Sequence, residues 1–340
     1  YIDAKDAFGD FIVYEVGFLT WMTRIIAFST MGVGFATALA GIMPQLSDDF
    51  MKNIIVTVIF CILAGVNLFG VPLYKVVQNV ATIAKIVPFI LFIGMGIFFI
   101  EPANFTPLFP NDVYTPGSFG AAAVMLFFAF TGFESLAVAA AEMENPQKNL
   151  PRATLITIFT VSAIYILLLG CAIGIMGMEL ADTTAPVQEA FSRIAGPFGT
   201  AVVAAGTLIS IGSLCIGSSF VTPHSCLALA EQHMLPAFMA KRNRFGAPYW
   251  SIIVSTVIAM LIAYTGSFTF LASISVVSRF SQYIPTCLSI PVFRKKMPDA
   301  PRAFRIPFGP VIPIIATAVS IWLLAQASAQ QLIMGLGAAV

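Results

Sequence analysis

The sequence predicts an all-α polytopic membrane protein, and three observations carry that prediction. Hydrophobic residues make up 59% of the 340 and charged residues only 10%, which excludes an ordinary water-soluble domain of this length. Apolar runs recur along the whole chain, most of them close to the ~20 residues a helix needs to cross the hydrocarbon core. The Lys and Arg residues fall mainly between those runs and are unevenly shared between the two sides. A net charge of +1 supplies no basic field for a nucleic acid.

The spans are expected at 11–43, 53–70, 79–100, 118–143, 153–177, 199–230, 249–265, 268–293 and 309–326, with a partial run from 331. The first ends at Met43-Pro44 and carries Arg24. The third holds Lys85 about one helical turn before an internal Pro88, and Glu101 opens the polar stretch that runs to Gly117. The fourth ends at Glu144-Asn145-Pro146, and Pro151-Arg152 leads into the fifth. Gly170 and Gly174, four apart, suit a close helix contact of the kind small residues allow in lipid. The sixth span is unusually long, and Gly206, Gly212, Ser213, Gly217 and Ser218 fit it for tight packing. Met234 to Pro248 precedes the seventh, which meets the eighth at Thr265-Gly266-Ser267. The eighth holds Arg279 beside Ser278 and Ser281, an internal Pro285, and a basic segment from Arg294 to Arg305 after it. The five cysteines lie in apolar runs without paired spacing, so packing is a better reading than a disulfide or metal framework.

With the N-terminal segment cytoplasmic, twelve Lys and Arg lie inside and only Lys52 and Arg193 outside. That bias orients the chain. Arg24, Lys85 and Arg279 are left within spans. Span lengths also repeat. The runs 11–43, 53–70 and 79–100 go long, short, medium, and 199–230, 249–265 and 268–293 follow the same order. Units with an odd number of helices insert in opposite directions, which gives an inverted repeat. The expected organisation is one transmembrane domain, with a first repeat in 1–100, a second in 118–293 and accessory helices in 309–340. Five helices per unit would leave the first unit short of its opening pair, so the chain, which starts at Tyr1, is expected to be truncated.

Span 118–143 cannot stay helical through its middle. An apolar run to Phe130 gives way to Thr131-Gly132-Phe133-Glu134. A carboxylate at membrane depth costs roughly 2.5–3.5 kcal/mol, so it faces a cavity or a partner. Gly132 loosens the helix at the same level. Backbone groups freed by a break are tolerated only where they line a protein cavity, and secondary transporters build midplane substrate sites in this way. The carbonyls of Phe128 and Ala129 lose their partners four residues on and become acceptors for an ammonium group, while N–H groups opening a following half-helix suit an anion. The alternative is a continuous helix with a packed Gly and a paired or snorkelling Glu.

The segment Phe127-Phe128-Ala129-Phe130-Thr131-Gly132-Phe133-Glu134, with Ala141-Glu142-Met143-Glu144-Asn145-Pro146 and Asn149-Leu150-Pro151-Arg152-Ala153, resembles the sixth helix and following loop of the amino acid–polyamine–organocation superfamily. Residues Tyr1 to Gly9 resemble that family's lead into helix three. The resemblance implies the five-plus-five inverted-repeat transporter fold, here covering helix three to part of helix twelve. It implies secondary amino acid transport by alternating access at the cell membrane, with an amino acid or related amine as substrate and the proton as coupling ion, or else exchange.

Phe128, Thr131, Gly132 and Glu134 are then the expected substrate site, with Phe128 as an aromatic gate and Ser218 and Ser275 facing the cavity by resemblance. Glu134 would serve equally as counter-charge, amine ligand or proton carrier. Lys85 matches a setting in which family members place a lysine where others bind sodium, which implies ion coupling; its alternative is snorkelling to the cytoplasmic surface. His224 stands where the family often has Arg, and a hydrogen-bonded interfacial histidine is the expectation there. No helix-one break, which in the family supplies half the substrate site, occurs in the sequence. Metallohydrolase, nucleophile-elbow and phosphate-loop patterns do not occur, so an enzyme, a metal and a cofactor are not expected. Two other readings remain at this point: a polyamine or cationic amino acid exchanger, and an inactive structural remnant of a permease.

Overall fold

A computed structural model describes residues 10–70, 73–106, 117–133, 145–183, 185–296 and 308–336. Among them the chain forms α1 (Asp10–Ile42), α2 (Asp49–Leu68), α3 (Leu73–Gly96), α4 (Ser118–Ala129), α5 (Pro146–Met176), α6 (Pro186–Glu231), α7 (Tyr249–Ala263), α8 (Phe268–Lys296), α9 (Val311–Gln326) and α10 (Ala329–Leu336), with short 3-10 turns between. Helices α1, α2, α3, α5 and α6 are long and apolar enough to cross a membrane, and α9 with α10, bent by 119° at their joint, make a sixth if taken as one span. Helices α4 and α7 are apolar but shorter.

Helix α8 forms where the eighth span was expected, yet it lacks the apolarity of the others. Burial explains how it tolerates its serines: every residue from 271 to 278 is buried within the bundle, so the polar groups face protein rather than lipid. Helix α6 begins thirteen residues before the expected 199, at Pro186. Its first turns were hidden because they are polar, with Arg193 paired to Glu179 and to Glu189 at 3.7 Å. Gly196 then bends the helix with φ 57° and ψ −142°, a conformation costly for any residue with a Cβ.

Helix α1 is the centre of the bundle. It packs on α2, α6, α7 and α8. Phe28 stacks on Phe60 of α2 with ring centroids 4.1 Å apart, in the space that the missing side chain of Gly32 leaves. Ile25, Val56, Ala259 and Leu271 complete this dry core. A second core joins α3, α5 and α6 through Phe92, Leu168, Phe191 and Val203, and a third joins α4, α8 and α9 through Val124, Val276, Phe280 and Leu323. The packing is reciprocal. Helix α1 lies on α8 as α6 lies on α3, and α1 and α6 also pack on each other. Pro88 of α3 sits so close to Gly206 of α6 that a Cβ there would come within 2.5 Å of its ring.

Candidate functional site

Helix α4 stops where the sequence placed a break. Its last helical residue is Ala129, Phe130 caps it, and Gly132 turns the chain with φ +110°. The carbonyl of Phe128 accepts both the backbone N–H of Thr131 (3.1 Å) and its hydroxyl (2.7 Å). The hydroxyl of Tyr165, on α5, donates to the carbonyl of Ala129 at 2.9 Å. Both freed carbonyls were expected to wait for an ammonium group; instead the protein itself supplies their donors. The backbone therefore tolerates the break without a ligand.

Beside this end lies a cavity of about 490 Å³. Phe128, Ala129, Thr131 and Gly132 line it from α4, and Tyr165 from α5. Helix α6 contributes Gly217, Ser218 and Thr222, and α8 contributes Arg279 and Gln282. Helix α1 presents Thr20, Arg24, Ala27 and Met31 at helical spacing, together with Thr23. Phe128 meets Phe268 of α8 edge to face, with centroids 6.0 Å apart. A polar seam joins α1 to α8 at the cavity wall. The Gln282 amide donates to the Thr23 hydroxyl at 2.7 Å, Thr20 donates to the Gln282 carbonyl at 3.2 Å, and the hydroxyls of Thr23 and Ser278 lie 2.6 Å apart.

Of the expected site residues, Phe128, Thr131, Gly132 and Ser218 are brought together around one cavity. Ser275 is not among its lining residues: it is fully buried on α8, and its hydroxyl has no hydrogen-bond partner among the described residues. Lys85 also lies away from the lining, half-buried on α3 one turn from Pro88. Glu134 falls outside the described residues. His224 has Nδ1 2.7 Å from the carbonyl of Phe220 and stacks on that ring, so it is a satisfied histidine as expected. Sequence reasoning assigned no site role to Arg24, Thr20, Thr23, Tyr165 and Gln282. A signal existed for the α1 set, since Thr20, Thr23 and Arg24 repeat at three and four residues on one face of an otherwise apolar helix.

The chemistry available is that of a small polar solute held out of lipid. Hydroxyls, an amide and two guanidinium groups surround a space with an aromatic ring on one side. A model of the amino acid permease family matches residues 4–337. The methylthioribose transporter of Bacillus subtilis is 25% identical over 334 residues, covering 92% of this chain and 71% of the relative. An uncharacterized transporter of Mycobacterium tuberculosis is 31% identical over 284 residues, and the chain spans 59% of that relative's length. The serine/threonine exchanger of Bacillus subtilis is 27% identical, covering 95% of this chain and 74% of its own. These relatives are transporters rather than enzymes, and the match runs through every helix described above. The chain belongs to the amino acid permease family and is a multi-pass protein of the cell membrane.

Proposed function

We propose that the protein moves amino acids or closely related amines across the membrane by alternating access, with the cavity at the end of α4 as the substrate site. The observation that carries this is the helix end itself: α4 terminates at Ala129 beside a space lined by four other helices, instead of continuing as a span. Irregular backbone at such a depth is expected only where it serves a cavity. Phe128 acts as the aromatic cover of the site, and Ser218 and Thr131 as polar contacts. The reciprocal packing of α1–α3 with α6–α8 supports two inverted repeats, one unit rocking against the other around the site.

Coupling to a proton through Lys85 is part of the proposal. Lys85 is half-buried on α3 and next to the tight Pro88–Gly206 contact, so its charge bears on the α3–α6 junction rather than on substrate directly. The polyamine alternative is disfavoured, because two arginines line the cavity and would repel a dication. Uptake of labelled amino acids by proteoliposomes preloaded with an amino acid mixture tests the reading. Saturable counterflow of at least one amino acid is expected, and no counterflow with any of the twenty would overturn it.

A further inference from the structure

We infer that Arg24, backed by Arg279, recognises a second carboxylate on the substrate, so that the cargo is a net-anionic amino acid of the aspartate or glutamate kind. This rests on the transport reading above. Arg24 stands on the cavity face of α1, and Arg279 enters from α8. The two like charges are near enough to act on each other. Arg279 is engaged within the protein, whereas the guanidinium of Arg24 makes no ion pair or hydrogen bond among the described residues. Arginine keeps its proton in proteins, so both charges persist.

Intramembrane cations are costly, and they face a cavity or a partner. Among the described residues, no carboxylate lines this cavity. A neutral amino acid brings an ammonium and a carboxylate and no net charge. A dicarboxylic amino acid brings the further negative charge, on a planar group that matches the parallel N–H donors of a guanidinium. Thr20, Thr23 and Gln282 are bonded to one another, which leaves the Arg24 guanidinium as the strong donor at this wall without a partner among the described residues.

The test is binding and counterflow of L-glutamate and L-aspartate against their uncharged isosteres L-glutamine and L-asparagine, with the purified protein. Glutamate or aspartate is expected to bind at least tenfold more tightly than its isostere. Arg24→Gln is expected to abolish that discrimination, and Arg279→Gln to reduce it. Should either variant fail to fold, discrimination by the unaltered protein still decides. Equal affinity for acid and isostere, or preference for neutral amino acids, would overturn the inference and leave the transport reading intact. Preference retained in a folded Arg24→Gln would remove Arg24 from the role. Counterflow with no amino acid at all would instead overturn the transport reading.

Discussion

Gly132 adopts φ +110°, and among the described residues nothing lies within 4 Å of where a Cβ would stand. A side chain there meets no clash; it meets a backbone conformation that L residues rarely take, at a cost of about 1–3 kcal/mol. Gly132→Leu is therefore expected to lower substrate affinity at least tenfold while the protein still inserts and folds, as read by a ligand-dependent melting shift. An unchanged shift would separate the turn from the site. Tyr165 holds the other side of the break. Tyr165→Phe keeps the ring against Phe130 but removes the hydrogen bond to the exposed Ala129 carbonyl, a net loss of about 0.5–1.5 kcal/mol. A lower melting temperature with weaker substrate binding is expected, and a melting curve equal to wild type would show that the bond does not hold the turn. Thr131 and Gly132 were legible because their chemistry is local to the chain. Tyr165 was not, since nothing in residues 118–133 announces a donor 36 positions away on another helix. Ser275 shows the converse: a serine in a matching position can be turned into the bundle and away from the cavity.

At the level of elements, the spans were readable wherever an apolar run met lipid. They were misjudged where a helix is polar for a reason. The first turns of α6 lie ahead of the bend at Gly196 and are held by the pairing of Arg193 with Glu179 and Glu189, so hydrophobicity did not reveal them. Helix α5 likewise starts at Pro146 rather than 153, because Pro is well accommodated in a first helical turn. The α3–α6 contact has a functional side. Pro88 and Gly206 fix the spacing of the two helices, and Lys85 sits one turn away. Lys85→Ala is expected to eliminate uptake driven by an inward proton gradient while exchange at equal pH continues, measured in proteoliposomes. An identical response to the gradient, or uptake that requires sodium, would leave Lys85 without a coupling role.

Across the whole molecule, the long–short–medium order of spans was visible in one dimension. The observed lengths of 33, 20 and 24 residues for α1 to α3 and 46, 15 and 29 for α6 to α8 keep that order. Which helices would touch was not visible, because contacts between α1 and α8 join residues some 260 positions apart. Arg24 and Arg279 illustrate the limit: each stood out as a cation within a span, but only the folded chain sets them around one space. The two sides of α1 differ in kind. Toward α2, the Phe28–Phe60 stack and the notch at Gly32 fit in one position, as a key fits a lock. Toward α8, Thr20, Thr23, Ser278 and Gln282 can each give or take a proton bond, and Thr20 and Thr23 are only about 4.5 Å apart along the axis. Groups of that kind can trade partners as one helix slips past another, with little lost at any step. The same helix is thus an anchor on one side and a bearing on the other.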